Sequence, residues 1–273
     1  MSVKEYLKTK LTEKQIRSLG NLAKSVRTLG KRSNLDELAK IYKTDKCGLH
    51  FYTTHYNEHF KRFRKKKLVL LEIGVGGHED PKAGGASLRM WKKYFPFGSI
   101  NAIDIFDKSY LQEKRIKIFK GSQVDEEFLK DVIREIGNPD IIIDDGSHIN
   151  QHMIDTFTIL FPLLKDGGIY VVEDTQTSYW PAFGGDSEKL DNPTTILNYL
   201  KKTTDCLNYE EFMLRDYKPS YFDRKIVSMH FYHNLVFLYK GDNTEGSNKT
   251  MPHKVDGEMT VEEVASLHQA IAG

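Results

Sequence analysis

Asp144-Asp145-Gly146-Ser147-His148 and Glu173-Asp174 are the residues of this 273-residue chain whose types and spacing point most directly at chemistry. Each cluster closes a short strand-like run, Asp140 to Asp144 and Ile169 to Val172. If those strands are neighbours in a parallel sheet, their carboxyl ends open onto one crevice, the place where open α/β folds bind ligands. Four carboxylates gathered there repel one another and resist desolvation unless a cation lies among them. A divalent ion such as Mg²⁺ or Mn²⁺ suits oxygen-only ligation with open water positions. His148, three residues past Asp145, is placed to act as a general base beside such an ion. Taken singly, each residue has a plainer use, as a cap, a solvated group or a hydrogen-bonded histidine.

A second group of residues reads as a nucleoside site. Glu72-Ile73-Gly74-Val75-Gly76-Gly77 ends another apolar run, and its glycines allow a tight turn and close approach of a ligand to the backbone. A nicotinamide fingerprint would place a third glycine where Glu79 stands and would open directly into a helix; here the helix waits until Ser87. S-adenosylmethionine (SAM), which carries no phosphate, does not need a helix N-terminus at that point. Asp104, at the tip of the next strand, is positioned to accept both hydroxyls of a ribose. Ser122 and Gln123, in Gly121-Ser122-Gln123-Val124-Asp125, reach toward an adenine edge, while Asp125 also suits a helix N-cap.

The elements that must hold these residues follow from periodicity. Leu68 to Ile73, Ile100 to Ile105, Arg115 to Phe119, Asp140 to Asp144 and Ile169 to Val172 read as strands. Ser87 to Phe95, Asp125 to Ile136 and Asn150 to Leu164 read as the helices between them, and the alternation predicts a doubly wound parallel α/β sheet. Lys225 to His230 and Leu235 to Tyr239 are close enough for an antiparallel hairpin at a sheet edge. Thr194 to Cys206 is a further helix. Residues 1–46 read as a helical segment (Lys4 to Leu11, Glu13 to Leu29, Asn34 to Tyr42, with Asn34 as a cap). A polar and aromatic loop then runs from Thr44 to Tyr52 into a helix from Tyr56 to Phe63. The expected organisation is this segment, a main domain over 47–241, and a C-terminal tail and helix (Val261 to Ile271) over 242–273.

Composition excludes little but directs the rest. With 39% hydrophobic and 29% charged residues the chain reads as globular. A net charge of +2 gives no global case for nucleic acid or membrane, and the basic run Lys61 to Lys67 reads as a solvated helix end. No apolar stretch is long enough to cross a bilayer, and Met1 to Lys14 lacks a signal-peptide core. Cys47 and Cys206 stand far apart without metal-ligand spacing, so a cytoplasmic, reducing setting is expected.

The motifs Asp145-Gly146-Ser147-His148 and Glu173-Asp174-Thr175-Gln176-Thr177-Ser178-Tyr179-Trp180 together resemble those of the metal-dependent sugar O-methyltransferases of macrolide biosynthesis. The resemblance also takes in Thr44-Asp45-Lys46 with His50 and Tyr52, Gly85 to Trp91, Ile103 to Ser109 and Gly121 to Asp125, roughly residues 40–240. It implies a seven-stranded class I SAM-methyltransferase sheet ending in the hairpin. It implies Mg²⁺ held by Asp145, Glu173 and Asp174, a base at His148, and a sugar hydroxyl as acceptor. SAM would be bound by Glu72, Gly74, Gly76, Ser87, Asp104, Ser122, Gln123 and Asp144. Tyr179, Trp180 and Phe183 would line the acceptor as an aromatic wall, with Gly184-Gly185 giving it mobility. The implied partner is a small-molecule glycoside, and a homo-oligomer is left open. The readings set against this one are a nicotinamide-dependent sugar oxidoreductase, a cephalosporin-hydroxylase-like enzyme and a non-catalytic SAM-binding accessory module.

Overall fold

A computed structural model of the chain describes residues 11–212 and 214–247. The expected helix over Lys4 to Leu11, most of the polar tail and the helix over Val261 to Ile271 lie outside them.

Seven strands form one sheet in the order β3-β2-β1-β4-β5-β7-β6. They are β1 (Val69–Ile73), β2 (Ser99–Asp104), β3 (Ile116–Lys120), β4 (Ile141–Asp144), β5 (Ile169–Glu173), β6 (Ile226–Tyr232) and β7 (Leu235–Lys240). The first five are parallel, and β4 pairs directly with β5, as the crevice argument requires. The hairpin inserts β7 antiparallel to β5 and leaves β6 at the edge. Its two-residue turn has Asn234 at φ 61°, a left-handed conformation that asparagine tolerates. The strand order reverses between β1 and β4, so ligands are expected above their carboxyl ends.

Because β1, β4, β5 and β7 are buried on both faces, their apolar side chains divide by simple alternation. Leu70, Ile141, Ile143, Ile169, Val171 and Phe237 pack under α2 (Leu35–Tyr42), α3 (Tyr52–Phe60) and α4 (Ala86–Tyr94). Leu71, Ile73, Ile142, Tyr170, Val172 and Leu238 pack under α5 (Glu126–Ile136), α6 (Asn150–Leu160) and α7 (Ile196–Thr203). Each fully buried aliphatic side chain contributes about 1.5–3 kcal/mol. Leu35, Leu38, Ala39 and Tyr42 belong to the first cluster, so α2 is part of the wall that covers the sheet. The preceding α1 (Glu13–Arg27) leaves Leu19, Leu22 and Val26 exposed.

Most boundaries fall within a residue or two of the periodicity. Asn34 caps α2 by accepting the Glu37 amide at 3.1 Å, and Asp125 caps α5 by accepting that of Phe128 at 3.1 Å. Three expectations shift. Helix α6 ends at Leu160 and tightens into a 3₁₀ turn over Phe161–Leu163, where Pro162 supplies no N–H. Helix α7 spans only Ile196–Thr203 and continues as 3₁₀ turns to Glu211. Helix α3 begins at Tyr52, four residues before its expected start. No side chain caps it; instead the Lys46 carbonyl accepts the amides of Tyr52 and Thr53 at 3.1 and 3.3 Å. A short helix, α8 (Tyr221–Lys225), also precedes β6.

Candidate active site

The residue that organises the crevice is Lys46, to which the sequence assigned no role. Fixed by its carbonyl at the start of α3, it is 1% exposed and points its ammonium across the carboxyl ends of β1, β4 and β5. The ammonium donates to Asp145 Oδ2 at 2.7 Å and to Glu173 Oε1 and Oε2 at 2.6 and 2.7 Å, and lies 3.5 Å from Glu72 Oε1. Tyr56 donates its hydroxyl to Glu173 Oε1. Burial pushes the lysine toward its neutral form, but Asp145, Glu173 and Glu72, with Asp45 beside them, outweigh it and hold the ammonium charged.

Strand alternation decides which carboxylates take part. Glu72 and Glu173 fall on the face covered by α3 and α4, with Lys46. Asp144 falls on the opposite face, fully buried, where it accepts the Gln123 amide at 3.3 Å. Only three of the four carboxylates expected at the two strand tips therefore share the crevice, and Glu72 joins them from β1. Burial raises both Asp144 and Glu72 to about 7. It also raises Asp145 and Glu173, in Glu173 together with the charge of Asp145, although Lys46 pulls against it in both. One ammonium thus leaves the cluster short of positive charge.

Toward solvent, Asp145, His148 and Asp174 bring one ligand atom each within 4.8 Å of one another. His148 Nε2 lies 3.7 Å from Asp174 Oδ2, and His148 Nδ1 has no hydrogen-bond partner among the described residues. Asp174 Oδ1 accepts from Tyr52 at 2.7 Å and from Gln176 at 3.2 Å, with His50 Nδ1 at 3.7 Å. Burial works to raise Asp174, but the Tyr52 hydroxyl and the nearby His148 outweigh it, and the carboxyl sits below its ordinary value. His148 and Asp174 adopt φ of 58° and 54°, strained values for such residues that occur at the tips of both functional strands. The arrangement differs from the expected Asp145, Glu173 and Asp174 triad: Glu173 sits one layer deeper, its oxygens engaged by Lys46 and Tyr56.

Beside this centre the β1 turn forms a cradle. Gly74, at φ 93°, passes so close to the β4 tip that an added Cβ would lie 2.1 Å from the Asp145 carbonyl oxygen. Gly76 faces open space. Asp104, half-buried, accepts the amides of Val75 at 2.9 Å and Phe106 at 2.8 Å, which fixes its carboxylate at the strand tip. Ser87 donates to Glu72 Oε2 at 3.1 Å, so these two face each other and Glu72 is enclosed. Ser122, just past the end of β3, is half-buried and accepts the Val124 amide at 3.3 Å. Gln123, expected at an adenine edge, turns inward: it donates to Thr156 at 2.9 Å and accepts the Ser147 amide at 2.8 Å, bracing the turn that carries His148. Gly74→Ala is expected to fail twice, through the disfavoured φ and through collision with backbone that cannot yield. The loss should exceed about 2 kcal/mol in a urea titration, and an unchanged midpoint would refute this account of the cradle.

Tyr179 and Trp180 line a cleft of about 720 Å³ next to the carboxylates, together with Thr175, Gln176 and the β6–β7 turn. Phe183 stands behind Trp180, ring centroids 6.0 Å apart. The residues that sequence reasoning missed, Lys46, Tyr52 and Tyr56, occupy one loop and the first half of α3. The only signal for Lys46 and Tyr52 was the order Thr44-Asp45-Lys46 with His50 and Tyr52, and Tyr56 had none.

Comparison with known proteins bears on these groupings. No family model matches the chain. The chain is 46% identical over 222 residues to mycinamicin VI 2''-O-methyltransferase of Micromonospora griseorubida, which covers 81% of the chain and 56% of that enzyme. It is 46% identical over 208 residues to 8-demethyl-8-alpha-L-rhamnosyl tetracenomycin-C 2'-O-methyltransferase of Streptomyces olivaceus, covering 76% of the chain and 54% of the relative. Among solved structures, the MycE methyltransferase from the mycinamycin biosynthetic pathway, in complex with Mg, SAH and mycinamycin VI, superposes with a TM-score of 0.78 at 44% identity. That match covers 86% of the chain and 59% of MycE. The chain thus spans a little over half the length of the relatives it matches.

Proposed function

Over the part of those relatives that it spans, the chain belongs to the sugar O-methyltransferases of glycosylated polyketides, and from that premise we propose that it transfers a methyl group from SAM to a hydroxyl of a sugar, with the help of a divalent cation. The observation that carries this reading is the crevice itself, a carboxylate cluster short of positive charge beside a glycine cradle and an open aromatic cleft. Asp145 and Asp174 would hold the ion, with Glu173 behind them as a third carboxylate. Oxygen donors of this kind suit Mg²⁺, which MycE contains. Gly74, Gly76, Asp104 and Ser122 would hold the methyl donor. Glu72, Asp144 and Gln123 support that pocket from behind.

When bound, SAM supplies an electrophilic methyl group and the ion acidifies the acceptor hydroxyl. Within this frame His148 takes the hydroxyl proton, using a ring that Asp174 and the Ser147 turn orient. Tyr52 and Gln176 hold Asp174 in one rotamer. Lys46 and Tyr56 prevent Glu173 from swinging into the reacting space. Most of the acceleration would come from this positioning and from the fixed charges around it. The acceptor is a small glycoside. Cys47 and Cys206 remain free thiols, which favours a reducing compartment such as the cytoplasm; no helix among the described residues is long and apolar enough to cross a membrane.

The direct test incubates the chain with SAM, Mg²⁺ and a panel of glycosides and follows a methyl-sized mass gain. Exhaustive chelation is expected to lower turnover by at least about a hundredfold, with recovery on adding Mg²⁺. Full turnover after chelation would remove the metal from the proposal. Reduction of a nicotinamide in place of methyl transfer would replace the reading altogether.

A further inference from the structure

The cleft beside the carboxylates differs from them in charge. Thr175, Gln176, Tyr179, Trp180, Lys201, Phe231 and Asn234 are among its lining, and no acidic side chain is. Its volume is about 720 Å³, within the range of small-molecule sites, and it is open to solvent. Trp180 and Phe231 are 49% and 40% exposed, so flat apolar faces stand open to solvent there. Lys201, on α7, bonds the neutral Asn198 side chain at 3.1 Å and borders the same space.

The cleft is joined to the reacting centre by two side chains. Gln176, which lines the cleft, gives its amide N–H to Asp174 at 3.2 Å. Tyr52 bonds both Asp174 and, at 3.1 Å, the Asn234 carbonyl on the β6–β7 turn. A molecule with one hydroxyl at the Asp145–Asp174 centre would extend past Gln176 into the cleft. Its next unit would meet the two aromatic faces.

We propose that this cleft is a subsite for the second sugar unit of the acceptor, and that the unit it selects carries a carboxylate that pairs with Lys201. The inference rests on the sugar-methylation reading for its first unit, but its occupant follows from the cleft. Aromatic faces take the C–H face of a pyranose, the polar groups of Thr204 and Asn234 match sugar hydroxyls, and a lysine with no acidic residue in the lining matches a uronate. A cationic amino sugar would find no counter-charge in this cleft.

The chain has two tryptophans, and Trp91 is fully buried, so quenching of the exposed Trp180 reports occupancy of the cleft without any turnover. The full chain, with Mg²⁺ and SAH, is titrated with methyl rhamnoside, rhamnosyl-glucose and rhamnosyl-glucuronate. Half-saturation is expected to fall in that order, with the glucuronate bound about five-fold tighter than the glucose counterpart. Lys201→Glu is expected to erase or invert that last step while leaving methyl rhamnoside unchanged. Equal half-saturation for the three ligands, absence of quenching by all of them, or an unchanged glucuronate preference in Lys201→Glu would each overturn the proposal. Methyl transfer to the same ligands is followed in parallel samples with SAM in place of SAH. Graded quenching without transfer would overturn the sugar-methylation reading and leave the subsite standing; transfer without graded quenching would do the reverse.

Discussion

Lys46→Met is expected to be the most damaging single substitution for stability in the chain. It keeps an unbranched chain one atom shorter and removes the charge. Glu72, Asp145 and Glu173 would then face one another with no ammonium between them, two of the three being almost fully buried. Breaking a buried ion pair by removing one partner costs about 3–5 kcal/mol, because the other charge stays desolvated. For a chain of this size that is a fall in melting temperature of about 6–20 °C. The comparison belongs in excess chelator, so that no adventitious cation stands in for the ammonium. Adding Glu173→Gln should recover part of the loss, because the double variant buries one fewer unpaired charge. A Lys46→Met midpoint within about 0.5 kcal/mol of the parent would show that the carboxylates do not depend on this lysine.

The same lysine marks the limit of what could be read from the sequence. The sheet was legible because its signal is local: runs such as Leu68 to Ile73 can only be strands buried on both faces, and Asn34 and Asp125 announce the helices they cap. The pairing of β4 with β5, and hence the crevice, followed from topology rules for parallel sheets. The strand tips were legible as a cluster for the same reason. What the sequence did not show was which way each carboxylate points. Alternation was available to separate Asp144 from Glu72 and Glu173, but the tips were read as one group. Gln123 turns inward because Asp144, Thr156 and the Ser147 amide need partners, a demand that appears only when α6 is packed on the sheet. Lys46 approaches the site across a sequence separation of about a hundred residues, and the start of α3 depends on its carbonyl rather than on any capping side chain. Neither leaves a periodic or local trace.

The second large effect is expected at His148. Its imidazole projects from a turn held by three separate features: the left-handed backbone at His148 itself, the Gln123 bond to the Ser147 amide, and the Ser147 hydroxyl, 3.0 Å from His152 Nδ1. Such bracing is what a group needs when its ring must stand at one distance from a reacting proton. Its Nε2 lies 3.7 Å from Asp174 Oδ2, and Nδ1 keeps no partner among the described residues. A histidine with a merely structural role would be expected to satisfy both nitrogens, as His59 does with the hydroxyls of Tyr239 and Tyr232 at 2.6 and 3.0 Å. His148→Ala is therefore expected to lower kcat for methyl transfer by about 10²–10⁴, the usual range for a lost general base. The KM for SAM and the unfolding midpoint should hardly move, because the cradle of Gly74 and Asp104 does not use the imidazole. His148→Gln, which keeps a polar side chain but no base, should be as slow as the alanine variant. Recovery of turnover with added imidazole would support proton removal as the missing step. A His148→Ala enzyme within about threefold of the parent would remove this residue from the mechanism and leave the proton to Asp145 or to water.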